Sequence, residues 1–63
     1  MKPHDLRRLK AFLKDELEAV EEYKGMANEM HRIGHHGHEH LFRQMAADEF
    51  KHASNIRKMI QDR

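Results

Sequence analysis

Two glycines near the middle of the chain, Gly34 and Gly37, separate two long segments that contain almost no other helix-breaking residue. Both segments are rich in Leu, Ala, Glu, Lys, Arg and Met, which favour helices. Glycine commonly ends a helix, and proline is accepted in a first turn. The positions of these residues therefore predict a first helix over about 3–33, beginning with Pro3 in its first turn or Asp5 as its N-cap. A turn at about 34–37 follows, with Gly34 as the stop, and then a second helix over about 38–62.

Apolar residues recur in both segments at alternating steps of three and four, as in helices that pack side by side. In the first segment the stripe is Leu6, Leu9, Leu13, Glu16, Val20, Tyr23, Ala27 and Met30. In the second it is His38, Phe42, Met45, Glu49, His52, Ile56 and Met59. The two stripes predict an all-α, antiparallel two-helix hairpin.

The small size of the chain predicts that the hairpin does not act alone. Its 63 residues form one domain, 1–63, and a domain this small usually needs disulfides, a metal or a partner subunit. Cysteine is absent, so disulfides and thiolate sites are excluded. A lone hairpin has one seam and leaves much of each apolar face exposed to water. We therefore expect a homodimer, or a higher homo-oligomer, in which two hairpins form a ferritin-like four-helix bundle.

Charge and hydropathy exclude several kinds of partner. The net charge is +1 and the acidic and basic residues are interspersed, so no strong field attracts nucleic acid. No apolar run approaches the roughly 18 residues of a membrane span. Alternating charges follow Met1 directly, without the apolar segment of a secretion signal. We expect no nucleic-acid or membrane partner and a cytoplasmic location.

Three ionisable residues interrupt the apolar stripes, and they lie at one level. Glu16 is 18 residues before Gly34, whereas Glu49 and His52 are 15 and 18 residues after it. At about 1.5 Å per residue, all three lie roughly 22–27 Å from the turn. Glu49 and His52, three residues apart, also share one face of their helix. The spacing therefore predicts two carboxylates and one imidazole in a single layer.

A second copy of the chain would double this set to four carboxylates and two imidazoles. Bundles that hold two iron or two manganese ions use a Glu from each of two helices and Glu-x-x-His from each of the other two. Carboxylate oxygens with a few imidazoles suit Fe or Mn better than soft-ligand metals. The alternative is a metal-free polar layer that fixes the register of the helices. Four carboxylates without a cation would repel one another, which favours the metal site.

From about Lys10 to Lys58 the chain resembles the ferritin-like superfamily, and most closely a single rubrerythrin-type di-iron hairpin. The residues that carry the resemblance are Glu16, Ala19, Tyr23, Ala27, Gly34, Phe42, Ala46 and the run Asp48-Glu49-Phe50-Lys51-His52-Ala53. The resemblance implies that Glu16, Glu49 and His52 bind the metals, two Fe per dimer with Mn or Zn as alternatives. It implies oxidation of Fe(II) by oxygen or peroxide, for iron handling or oxidative-stress defence, and leaves the electron donor unidentified.

Two further residues are candidates for supporting the metal ligands. In related bundles an Asp in the position of Asp48 bonds the metal-binding His of the facing chain. Tyr23 lies two helical turns beyond Glu16, where its hydroxyl could donate to a ligand carboxylate. The chain departs from rubrerythrins at Ala19, three residues after Glu16, where no further carboxylate is found. It also has none of the cysteines of the rubrerythrin electron-transfer domain.

The turn region supports a different interpretation. Five histidines fall within ten residues, at positions 31, 35, 36, 38 and 40, and such tracts bind Zn, Ni or Cu in some proteins. The chain would then be a non-enzymatic metal-binding protein for storage or sensing. A third interpretation is a metal-free helical dimerisation module. Oxygen consumption on addition of Fe(II) separates the first interpretation from the other two.

Overall fold

A computed structural model describes residues 1–62, and all of the regular structure in this range is helical. Helix α1 spans Pro3–Arg32 and helix α2 spans His36–Gln61. The short link between them folds α2 back along α1, giving a rod of 48 × 14 × 10 Å. Its radius of gyration is 14.6 Å, against about 11 Å for a compact domain of this length. The predicted hairpin is confirmed; Arg63, the last residue of the expected domain, lies outside the described residues.

The first helix begins at proline, one of the two starts that the sequence allows. Pro3 occupies the first helical position, where its missing N–H removes no helical hydrogen bond. The Lys2 carbonyl accepts hydrogen bonds from the N–H groups of Asp5 and Leu6, both at 3.1 Å. Asp5 therefore lies inside the first turn, where its negative charge favours the helix dipole, and is not the N-cap.

The turn ends α1 through a pair of backbone hydrogen bonds around Gly34. The Gly34 N–H donates to the His31 carbonyl at 3.2 Å, and the His35 N–H donates to the Met30 carbonyl at 2.9 Å. This pairing is the Schellman motif, which requires a left-handed residue after the helix. Gly34 adopts φ +82°, a conformation that strains L side chains. Its predicted role as the stop of the first helix is confirmed.

The second helix begins at His36, two residues before the expected start at about 38. The His35 carbonyl already accepts a hydrogen bond from the Glu39 N–H at 2.9 Å, so helical bonding starts immediately after the turn. Gly37 consequently lies in the first turn of α2 and not in the loop. Glycine destabilises a helix chiefly in its interior, through backbone entropy, so a glycine in the first turn is tolerated.

Small side chains form the centre of the seam between the two helices. The buried residues are Val20 and Ala27 of α1 and Ala46 and Ala53 of α2. The stripe predicted for α1 does face α2, as each of its members is buried or half-buried. In α2 the prediction is wrong at every second position, because the seam follows Glu39, Phe42, Ala46, Glu49, Ala53, Ile56 and Ile60. Alanines let the helices approach closely, which leaves the larger neighbouring side chains outside the seam.

Several larger apolar side chains outside the seam are exposed along one side of the hairpin. On the other side, Val20 and Lys24 of α1 line a groove with Arg43, Ala47 and Phe50 of α2. By helical periodicity, the residues of each helix that flank the seam away from this groove lie together on the other side of the hairpin. This open face consists of Phe12, Met26, Leu41, Met45 and Met59, between 40% and 55% exposed. Across residues 1–62, neither helix has the length of apolar sequence needed to cross a lipid bilayer.

Candidate metal centre

The two helices bring Glu16, Glu49 and His52 together, as the spacing predicts. Each residue offers one ligand atom, and these atoms all lie within 4.8 Å of one another. The His52 Nδ1 is 3.7 Å from Oε2 of Glu16 on the facing helix and 3.7 Å from Oε1 of Glu49 on its own helix. One α1 carboxylate thus meets a carboxylate and an imidazole of α2.

Burial in this cluster leaves one oxygen without a partner. Oε2 of Glu16 is buried and accepts no hydrogen bond from the described residues. The side chains of Glu16 and Glu49 are 28% and 24% exposed, whereas His52 is 56% exposed. An unpartnered carboxylate oxygen away from water is unfavourable unless a proton or a cation satisfies it. The donor set and this orphaned oxygen both fit a divalent cation.

The electrostatics of the cluster favour a positive charge between the two carboxyl groups. The pKa of Glu49 is raised because its carboxyl lies against that of Glu16, so that a proton shared between them is favoured. Partial burial and the negative charges of Glu16 and Asp48 raise this pKa further, while His52 opposes the rise. A cation bound here would replace the shared proton and relieve the same repulsion.

His52 lies outside the seam, contrary to the prediction that it belongs to the packed stripe. Because Ala53 takes the seam position, the imidazole lies beside it, on the flank that also carries Met45 and Met59. The ligand cluster is therefore at the edge of the open face and accessible from that side. Tighter packing of α2 through its alanines accounts for the difference.

Among residues 1–62, the two supporting candidates form no side-chain hydrogen bond or ion pair with the ligands. The Tyr23 ring stacks on Phe42 with ring centroids 6.4 Å apart, and among residues 1–62 its hydroxyl forms no side-chain hydrogen bond. Asp48 is exposed and has no ion pair within the same range. Both residues remain candidates only for contacts that a second copy would provide.

A second cluster, which we call the turn cluster, lies at the turn. It consists of three ligand-type side chains, His31, His36 and Glu39, together with Arg43. Oε1 of Glu39 is 3.0 Å from the His31 Nδ1 and 3.4 Å from the His36 Nδ1. Its other oxygen, Oε2, accepts hydrogen bonds from Nε and Nη2 of Arg43 at 3.0 and 2.8 Å. These contacts hold the pKa of Glu39 down at about 2, Arg43 being the main cause, followed by His31.

Glu39 and Arg43 are not among the predicted site residues, although the sequence contains a signal for them. His36, Glu39 and Arg43 follow one another at spacings of three and four, which places them on one face of α2. The neighbouring imidazoles of His35 and His38 stack on each other, 5.5 Å between centroids, and do not join the cluster. Only two of the five turn histidines therefore approach the carboxylate.

Comparison with known protein families gives a match over most of the chain. The model of one protein family, described as rubrerythrin, matches residues 8–63. The matched range includes both helices almost entirely and all three residues of the first cluster. Comparisons with curated proteins and with solved structures give no significant match.

Proposed function

The chain belongs to the rubrerythrin family, and from this premise we propose that it forms a homodimer with a carboxylate-bridged dimetal centre that oxidises Fe(II). The oxidant is oxygen or peroxide, and the role is iron handling or defence against oxidative stress. Iron is the first choice of metal, because carboxylate oxygens with few imidazoles suit iron or manganese. Glu16, Glu49 and His52 are the ligands.

The observation that carries the proposal is the convergence of these ligands around an unsatisfied buried oxygen. Two carboxylates and an imidazole from two helices lie within 4.8 Å of one another. Oε2 of Glu16 has no hydrogen-bond partner among the described residues, and the pKa of Glu49 is raised by the adjacent carboxyl. A structural polar layer would be expected to satisfy such groups by hydrogen bonds, whereas a metal site needs them free.

The need for a second copy follows from the number of ligands. One chain supplies two carboxylates and one imidazole, which is half of the set that dimetal bundles use. The open face supports docking of a second copy, since its apolar side chains border the ligand cluster and are exposed in one chain. Joining two such faces about a two-fold axis would bury these side chains and bring the two half-sites together.

When bound, iron supplies the one-electron chemistry of the reaction. The protein residues hold and orient it. Glu16 and Glu49 would provide the negative charge that holds it, and His52 would have to be neutral to bind. In the dimer, Asp48 of one copy would accept a hydrogen bond from the free ring nitrogen of the facing His52, fixing its orientation. Tyr23 would donate its hydroxyl to a ligand carboxylate.

The experiment measures iron per chain and oligomer mass on protein purified without an affinity tag, together with oxygen consumption on addition of Fe(II). We expect two irons per dimer and oxygen consumption in the wild type. Glu49→Ala should lose both irons at once. Glu21→Ala is the matched control, because Glu21 is 76% exposed and its only ion pair within residues 1–62 is with Lys24.

Each alternative gives a different result. One tightly bound iron per monomer, or full loading in Glu49→Ala, would show that the site is built differently. Metal binding without oxygen consumption would indicate storage or sensing. A dimer that takes up no metal would indicate a dimerisation module.

A further inference from the structure

The turn cluster is separate from the dimetal ligands. Glu39 and Glu49 are ten residues apart on the same helix, which is about 15 Å along its axis. No side chain is shared between the two clusters, and the turn cluster lies wholly within one chain. What it binds is therefore independent of the function proposed above.

The spacing of its ligand atoms is close to that of a tetrahedral metal site. Bonds of 2.0–2.2 Å place tetrahedral ligand atoms roughly 3.3–3.6 Å apart. The two distances from Oε1 of Glu39 to the imidazole Nδ1 atoms are 3.0 and 3.4 Å. One ligand atom from each of the three residues lies within 4.8 Å of the other two. The imidazoles are 67% and 73% exposed, so they can rotate to close the remaining gap.

The carboxylate at the centre of the cluster is held in place. Arg43 binds Oε2 of Glu39 through two N–H groups, leaving Oε1 directed at the imidazoles. Arg43 also donates to Oδ1 of Asn28 at 3.3 Å, which ties it to α1. The Glu39 side chain is only 16% exposed. A ligand fixed by outer hydrogen bonds binds a metal more tightly than a mobile one.

The backbone also fixes the two helix ends that carry the imidazoles. His31 is in the last turn of α1 and His36 is the first residue of α2, and the Schellman hydrogen bonds around Gly34 join these helix ends. The two rings lie edge to face with centroids 5.9 Å apart. The site is therefore assembled by a tight turn and not by a long flexible loop.

We propose that His31, His36 and Glu39 form a mononuclear site for a borderline divalent cation of the Zn²⁺ type, one per chain. Two imidazoles and one carboxylate are the ligand set of open zinc sites, which keep a fourth position for water. The Arg43 charge offsets that of Glu39, so the neutral imidazoles dominate the binding and disfavour Mg²⁺ and Ca²⁺. Because its ligands come from both helices, the cation fastens the closed end of the hairpin.

The test is a Zn²⁺ titration by calorimetry on the untagged 63-residue chain carrying Glu49→Gln and His52→Gln, which removes binding at the dimetal ligands. We expect one Zn²⁺ per chain and a rise in Tm with Zn²⁺ concentration. Adding His31→Gln and His36→Gln should weaken binding by ~100-fold or more, beyond the 10–100-fold typical of losing an outer partner. Adding His35→Gln and His38→Gln is the matched control and should change it less than about threefold.

If the His31/His36 and His35/His38 double substitutions weaken Zn²⁺ binding equally, the histidine-rich turn binds cations without a defined site. That result would overturn the proposal. Absence of Zn²⁺ binding before either pair is introduced would overturn it as well. Circular dichroism verifies folding, and His31→Gln alone is the milder variant if the double change unfolds the turn. Tetrahedral Co²⁺ absorption in the control but not in the His31→Gln variant would support the ligand assignment.

Discussion

The His52 Nδ1 of α2 lies 3.7 Å from Oε2 of Glu16 of α1, although the two residues are 36 positions apart in the sequence. That oxygen is buried and has no hydrogen-bond partner among residues 1–62. The contact joins the helices in the middle of the hairpin through groups that are poorly satisfied without a cation. The metal-free protein should consequently be sensitive to the protonation of this layer.

The stability of the metal-free protein should depend on the protonation of Glu49. Its raised pKa means that the folded state holds its proton more strongly than the unfolded state. Its contribution to stability is complete below the unfolded pKa and is lost as pH rises through the folded pKa. As pH rises from 4.5 to 8, the wild type should therefore lose unfolding free energy relative to Glu49→Gln. Urea unfolding measures it, with Glu21→Gln as control; a constant or opposite trend would contradict the assignment.

Metal occupancy should show the reverse dependence on pH. Binding needs ionised Glu16 and Glu49 and neutral His52, so protons compete with the metal at every ligand. Occupancy should collapse below about pH 5–6, close to the ordinary range of histidine and somewhat above that of carboxyl groups. Metal analysis after dialysis between pH 4 and pH 8 tests this. Occupancy that persists unchanged at pH 4 would remove this ligand set from consideration.

The pairing of Glu39 with Arg43 predicts an effect at lower pH. Because the pKa of Glu39 is lowered to about 2 from 4.5, its contribution to stability is present above about 4.5 and is lost as pH falls towards 2. Arg43→Gln removes the main cause of the shift. The stability advantage of wild type over this variant should shrink between pH 5 and pH 2, and an NMR titration of Glu39 should show a higher pKa in the variant. Arg57→Gln serves as the control.

Alanine substitutions at two glycines should change the unfolding free energy in opposite directions. Gly34→Ala forces a side chain into φ +82° and should lower the unfolding free energy by about 1–2 kcal/mol. Gly25→Ala, inside α1 with nothing within 4 Å of the added Cβ, should raise it by about 0.5–1 kcal/mol. Chemical denaturation of both variants provides the comparison. Destabilisation by Gly25→Ala would mean that another subunit packs closely against that position.

The open face predicts which apolar residue matters for dimerisation. Met45 borders the ligand cluster on the open face, whereas Phe50, 54% exposed, lies on the opposite side of the hairpin. Met45→Glu would place two charges in a dimer interface and should raise the dimer dissociation constant by ~100-fold or more. Phe50→Glu should leave the dimer intact. Sedimentation analysis distinguishes them, and an equal effect of both variants would place the interface elsewhere.

Much of the hairpin follows from the sequence because it depends on local chemistry. The helix start at Pro3 and the stop at Gly34 follow from backbone preferences that neighbouring residues do not alter. The convergence of Glu16, Glu49 and His52 follows from the constant rise of a helix and a short turn. These features need no knowledge of how tightly the helices pack.

The seam of α2 could not be predicted, because two stripes that differ by one residue at every second position fit the same three-and-four spacing. Hydrophobicity favours the stripe with Met45 and Met59, while close packing selects the one with Ala46 and Ala53. Only the distance between the helices decides between them, and that distance depends on side-chain size along the whole seam. The same one-residue difference leaves His52 exposed and brings Glu39 inward.

The three-residue turn also sets the order in which contacts can form. Contacts beside Gly34, such as His31 with Glu39, close a loop of eight residues, whereas Glu16 and His52 close one of 36. The entropic cost of closing a loop increases with its length, so contacts between the two helices should form first beside the turn and then progressively towards the chain ends. The metal ligands then meet only after most of the hairpin has closed, and metal capture becomes a late event that reports on a completed fold.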